Sequence, residues 1–425
     1  MTWFTRLAAT EEVTTSLGSH GAQEIRSLCS EIGVIARGRV VYTGATAQLG
    51  ADLDEFEERL IELLGQHRDP PSSRSTAKGA VMRYLAFALS IAIASAIVPA
   101  LFGQSSPAYR ITHTYTLGGD GGWDYVVPDP PEHRVFIGRQ NRVMVVDQDT
   151  GKLLGEVAGI DGAHGVAVAA RTGHGFATSG NDGSVVMFDL KTFAVIGRTP
   201  AAEDADAIIF DPASSRVFTF NGDAHSSTVI DPRDGKLVKN VPLGGKPEYG
   251  ASAGDGKVYA NLTDTSEVVE IDAAALSVTR RWPTAPCQQP VAMAIDVGHH
   301  RLFSGCRSGV MAISDYQAGK VIATVTIGDG VDGAGYDPAT GDAFAANLDG
   351  TLTVIHQDDP DRYHVVESVK TAPGSRNMGL DPTNHRVFVV GATFGPAPAA
   401  ATPENPRRRP PVLPGSFVMM VIERR

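Results

Sequence analysis

Phe210-Asp211-Pro212-Ala213-Ser214-Ser215-Arg216-Val217-Phe218 and Leu380-Asp381-Pro382-Thr383-Asn384-His385-Arg386-Val387-Phe388 are one phrase written twice in the chain. An aspartate at the first position of a turn accepts a backbone hydrogen bond, and a proline at the second presets φ, so each copy closes a hairpin. The terminal aromatic recurs as Phe136, Phe176, Phe218, Tyr259, Phe303, Phe344 and Phe388, about 40 to 44 residues apart, which makes seven units. Each unit continues into a second hydrophobic strand, as at 143–146, 185–188, 228–230, 268–271, 310–313 and 352–355. A further turn, seen from Asp147 to Lys152 and from Asp231 to Lys236, leads to a short outer strand. Four strands per period with no helical spacing between them predict an all-β, seven-bladed β-propeller with four-stranded blades over residues 107–425.

The ends of the repeat array predict how the ring closes. The seventh unit ends with a strand at 417–422 and lacks an outer strand of its own, which Ile111 to Leu117 supplies, so both termini share one blade. Between Gly395 and Gly415 a Pro-rich insert carrying Arg407, Arg408 and Arg409 reads as an extended surface loop.

The entry string Leu117-Gly118-Gly119-Asp120-Gly121-Gly122-Trp123-Asp124-Tyr125, the Asp-Pro turns and Val258-Tyr259-Ala260-Asn261 resemble the YncE-like, YVTN-repeat family of seven-bladed propellers. The resemblance covers about three quarters of the chain, although most units depart from the full Tyr-Val-Thr-Asn string. It implies a repeat scaffold of periplasmic or secreted binding proteins.

The N-terminal part is of another kind. The run Leu17-Gly18-Ser19-His20, a helix through Cys29, and Arg37-Gly38-Arg39-Val40-Val41 before Gly44 resemble the end of an ABC-transporter ATPase over residues 10–66, including a closing helix at 53–64. No Gly-rich phosphate loop and no acidic magnesium strand precede it, so residues 1–67 read as a truncated fragment that neither binds nor hydrolyses ATP. Residues 68–81, with Pro70, Pro71 and a Ser-rich run, read as a linker. From 84 to 103 about 20 uncharged residues follow Lys78 and Arg83, so 82–106 reads either as a signal peptide starting at Met82 or as a transmembrane anchor. Either way the propeller is expected to be periplasmic or secreted, and membrane-anchored if that segment is retained.

Composition narrows the partners. The 425 residues carry a formal net charge of -11, which disfavours a sequence-independent grip on nucleic acid. The expected state is a monomer.

Twelve residues before the repeat aromatic stand Asp124, His164, Asp206, Asp332 and Arg376, with Glu248 in register after a one-residue deletion and Val291 as the exception. In a propeller the connection into each innermost strand lies on the same face as the loop between the second and third strands. The ring is therefore expected around the channel mouth, joined by Asn181, Asn221, Asn261 and Asn347 from the second set of loops. Three readings stay open. The groups cap loose backbone amides, or they bind a small polar or cationic ligand, or they hold calcium or zinc (Asp206, Glu248 and His164 being the candidate ligands) for a lactonase-like, metal-dependent hydrolase.

No Gly-x-Ser-x-Gly elbow, His-Glu-x-x-His pair or Cys-x-x-Cys cluster occurs, so no catalytic residue is assigned. Cys287, before the fifth innermost strand, and Cys306, at the exit of that unit's second strand, are expected to form a disulfide in an exported chain. The function expected is therefore a non-catalytic extracytoplasmic binding propeller with no resident cofactor. A metal-dependent hydrolase is the alternative, and nucleic-acid binding ranks third.

Overall fold

In a computed structural model the chain divides into two compact units, Met1–Gly103 and Gln104–Arg425. The structure describes residues 108–399 and 409–425 and, in the first unit, the backbone of four strands: β1 (Thr5–Ala9), β2 (Val13–Leu17), β3 (Glu31–Ala36) and β4 (Arg39–Ala45). These form one sheet in the order β2-β1-β3-β4, with β3 and β4 paired antiparallel. His20, Cys29, the helix expected at 53–64, the linker and the apolar run 84–103 lie outside the described residues. Among the described residues no helix is long and apolar enough to cross a membrane.

The second unit is an all-β propeller whose only described helical turns are Pro130–Glu132 and Ala170–Thr172. It opens with β5 (Tyr109–Thr116), β6 (Val126–Asp129), β7 (Arg134–Asp147), β8 (Leu153–Ala169), β9 (His174–Ser179), β10 (Ser184–Asp189) and β11 (Val195–Pro200). Four regular four-stranded sheets follow in simple up-and-down order. They are β12 (Ala205–Asp211) to β15 (Leu237–Pro242) through β13 (Arg216–Asn221) and β14 (Ser226–Ile230), then β16 (Pro247–Ser252), β17 (Lys257–Leu262), β18 (Glu267–Asp272) and β19 (Ser277–Pro283). Next come β20 (Pro290–Asp296), β21 (Arg301–Cys306), β22 (Val310–Asp315) and β23 (Lys320–Thr326), and β24 (Val331–Asp337), β25 (Asp342–Asn347), β26 (Thr351–Asp359) and β27 (Arg362–Lys370). The closing sheet runs β28 (Asn377–Asp381), β29 (Arg386–Gly391), β30 (Val418–Arg424) and then β5, with Ile422 opposite Ile111. The N-terminal strand thus latches the ring as its outer strand.

One expectation is corrected. The repeats predict seven separate blades, whereas the propeller has six sheets, because the first two repeats share a six-stranded sheet in the order β11-β10-β9-β8-β7-β6. The cause is two long strands. β7 has 14 residues, which would span about 45 Å if straight. It doubles back instead, since His133 and Gln148 at its two ends share a backbone hydrogen bond of 3.0 Å and Gln140 at the reversal has φ 46. β8 pairs by its first half with β7, Val157 opposite Val143, and by its second half with β9, Ala167 opposite Phe176. Extended pairing therefore runs across a repeat boundary that a loop breaks elsewhere. The innermost strands β6, the second half of β8, β12, β16, β20, β24 and β28 succeed one another around the axis, and β28 returns to β6.

The repeat aromatics are why the sheets stack. Phe136, Phe176, Phe218, Tyr259, Phe303, Phe344 and Phe388 are all buried, and each large ring removed from water contributes about 2–3 kcal/mol. The turn chemistry holds as read: Asp211 Oδ2 accepts from the Ser214 N–H at 2.8 Å, and Asp381 Oδ1 from the Thr383 N–H at 2.8 Å. The basic residue that opens the second strand acts between sequence repeats. The Arg134 guanidinium donates to the Leu190 carbonyl at 2.6 Å, a His174 ring N–H to the Pro232 carbonyl at 2.8 Å, and Arg301 to the Pro360 carbonyl at 2.8 Å. Arg386 in the closing sheet pairs with Asp149 of the first repeat. Carbonyls at these turns, buried or half-buried, thereby keep a donor.

Arg139 shapes the glycine-rich entry string. Its fully buried guanidinium donates to the carbonyls of Gly118, Gly119, Asp120, Gly121 and Gly122 at 3.0–3.2 Å and lies 3.8 Å from the Phe417 ring centroid. Trp123, half-buried, packs beside it on Phe394 and Phe417 against the edge of the core.

Candidate functional site

The innermost strands begin at the channel mouth. Asp124 precedes β6, His164 lies in the second half of β8, Asp206 in β12, Glu248 in β16, Asp332 in β24, and Arg376 precedes β28. Their side chains meet. His164 Nδ1 is 2.6 Å from Asp124 Oδ2 and 3.3 Å from Asp206 Oδ1. Asn377 Nδ2 donates to Asp124 Oδ1 at 3.1 Å and to Asp332 Oδ2 at 3.3 Å, and Arg376 Nε pairs with Asp332 Oδ2 at 2.8 Å. Glu248 is held by Arg307 at 3.3 Å. Four carboxylates thus share three cationic side chains.

The asparagines have other work. Asn221 is buried and bonded to Ser226, Thr228 and Thr219, while Asn261 donates to the Ala292 carbonyl and accepts from Ser304. Asn347 donates to Thr351, Thr353 and the Ala345 carbonyl. Asn181 is exposed and pairs with Asp161 at 2.9 Å. Asn221 and Asn347 brace strand ends from within their sheets, Asn261 ties its sheet to the next, and none of the four bonds to the carboxylate cluster.

Four further groups complete the cup. Tyr125 and Tyr249 directly follow the ring positions Asp124 and Glu248, and their tilted rings pack with centroids 5.1 Å apart across the axis. Asn377 follows Arg376, and Arg307 follows Cys306. The repeated acid-tyrosine step is the one sequence signal that marks them.

Burial and mutual repulsion set the protonation of the cup. Burial alone would lower the His164 pKa, but the hydrogen bond with Asp124 and the charges of Asp206 and Asp124 outweigh it and raise it to about 9. Burial and the charge of Asp124 push the Asp206 carboxyl well above the usual range, and His164 offsets this only in part. Burial raises Glu248 to about 7 against the opposing charge of Arg307. Burial also raises Asp332, opposed by Arg376.

A metal fits a different set from the one expected. Ligand atoms of Asp124, His164 and Asp206 lie within 4.8 Å of one another, whereas Glu248 is turned to Arg307. One imidazole with two carboxylates suits zinc better than calcium, which favours oxygen ligands throughout. Such an ion would have to displace the proton that His164 holds.

Cys287 and Cys306 are buried and joined as a disulfide, with Cα atoms 5.6 Å apart. The bond fixes the strand end from which Arg307 reaches Glu248. It suits an oxidising, extracytoplasmic setting.

No family model matches the chain, and no curated protein matches it. Among solved structures, a hydrazine synthase chain of Kuenenia stuttgartiensis is similar at 16% identity and a TM-score of 0.41, covering 55% of this chain and 95% of that one. Neither the YncE-like nor the ATPase resemblance gains support from these comparisons.

Proposed function

We propose that this propeller is a non-catalytic, extracytoplasmic binding protein that takes a small cationic ligand into the channel-mouth cup. The observation that carries the proposal is Asp206. Its buried Oδ1 accepts no hydrogen bond, because the His164 Nδ1–H 3.3 Å away is given to Asp124, and burial beside Asp124 makes its carboxyl hard to ionise despite the His164 charge. A positive group placed beside Asp206 and Glu248 would stabilise the ionised forms that burial now disfavours. His164 does not serve as a base at neutral pH, since with a pKa of about 9 it carries its proton.

Calorimetric titration with calcium, zinc and a diamine tests this. One of them is expected to bind with unit stoichiometry, more tightly as pH rises, and about tenfold more weakly in Asp206→Asn. Failure of all three to bind would leave the ring as loop caps only. The close approach of Asp124, His164 and Asp206 supports a second reading as a metal-dependent hydrolase. Stoichiometric zinc together with lactone or ester turnover lost in Asp124→Asn would favour it.

A further inference from the structure

The face opposite the cup has a cleft lined by arginines. Successive connections in an antiparallel sheet alternate ends, so the β8–β9, β12–β13 and β14–β15 turns lie away from the mouth. Between them is a cleft of about 440 Å³ lined by Arg171, Arg216, Arg233, Thr172, Phe210 and Pro232, among others. Three guanidiniums line it, and two of them share one carboxylate. Asp231 takes Arg233 through Nε at 3.0 Å and Nη2 at 2.6 Å, and Arg216 through Nη1 at 3.4 Å. Arg171 has only neutral partners, the Pro212 carbonyl at 3.3 Å and Ser215 Oγ at 3.1 Å. A chain of net charge -11 thus leaves a guanidinium without a carboxylate in a concave site.

The walls add a second requirement. Phe210 and Pro232 are apolar, and an adjoining cleft of about 500 Å³ shares Arg233 and continues over Met187, Ile196 and Leu237. Ile196 and Leu237 are about half exposed, at 50% and 47%. We propose that this cleft binds a small organic oxyanion, a phosphate monoester or a carboxylate, whose charged head meets Arg171 and Arg216 and whose apolar body runs past Arg233 toward Ile196 and Leu237. Planar guanidinium donors match both kinds of head group.

Butyl phosphate and hexanoate are the probes, titrated by calorimetry into the intact chain at low salt, with inorganic phosphate alongside. Saturable binding of either organic anion is expected, tighter than inorganic phosphate. It should weaken about tenfold in Arg171→Gln and again in Leu237→Ser, while Asp206→Asn at the opposite mouth leaves it unchanged. Preference for butyl phosphate names a phosphate ligand, and preference for hexanoate a carboxylate. Arg171 is exposed, so its variant is expected to melt like the parent. No saturable binding of either organic anion, or equal binding by parent and Arg171→Gln, overturns the proposal.

Discussion

Tyr125 and Tyr249 pack across the propeller axis with ring centroids 5.1 Å apart and planes tilted by 40°, and the Tyr125 hydroxyl donates to the Glu248 carbonyl at 3.0 Å. They belong to the first and fourth repeats, and Tyr125 packs further against the core between Phe220 and its neighbours. The pair fills the axis beside the carboxylates and sets one wall of the cup. Tyr125→Ala is expected to cost about 3 kcal/mol of unfolding free energy, and Tyr125→Phe about 1 kcal/mol. Urea denaturation of both variants measures the difference, and equal losses would mean the ring contact contributes nothing.

His164 makes stability depend on pH in a stated direction. Its pKa is raised from 6.5 to about 9, so its contribution is fully present below pH 6.5 and is lost as pH rises through 9. His164→Gln is expected to cost roughly 2–3 kcal/mol near pH 6 and little near pH 10. Denaturant melts across that range check it. A cost independent of pH would show that the charge on the ring is immaterial.

Glu248 acts in the same sense through a carboxyl. Its pKa is raised to about 7, so stability is fully present below its ordinary value of 4.5 and is lost as pH rises through 7. Glu248→Gln should therefore match the parent near pH 4 and exceed it by about 2 kcal/mol above pH 8. A variant less stable than the parent at high pH would show that the Arg307 pair outweighs burial.

Arg139 is the structural counterpart of these charged sites. Removing its side chain leaves five backbone carbonyls without their common donor, so Arg139→Met is expected to cost about 3–5 kcal/mol. Thermal melting measures the loss, and hydrogen exchange at Gly118 to Gly122 should rise first.

Reducing the Cys287–Cys306 bond, or Cys287→Ala with Cys306→Ala, should cost about 3 kcal/mol, the value expected for a loop of this size. Reduction also frees the strand end before Arg307. An unchanged melting point under reductant would show that the surrounding core holds that end unaided.

Much of the scaffold was legible because its signals are local. The buried aromatics, the Asp211 and Asp381 turns, the latch by Ile111 and the pairing of Cys287 with Cys306 follow from spacing and from how side chains hydrogen-bond their own turns. The sheet count was not legible. Whether one repeat's last strand runs on into the next depends on the path through Gly159 and Gly162, both at positive φ, where Asp161-Gly162 has the form of a turn but the strand continues through it. The asparagines misled for a similar reason, since Asn221, Asn261 and Asn347 found their partners inside and between sheets.

The amino-acid sequence by itself determined a propeller closed by its own N-terminal strand and a polar ring at one repeat position. Periodicity and turn chemistry act over a few residues and are written in the chain order. Tertiary structure alone decided that Asp124 faces His164, that Glu248 turns to Arg307, and that Tyr125 reaches Tyr249. Those contacts join different repeats, and only closure of the ring brings them within the few ångströms over which hydrogen bonds and charge act.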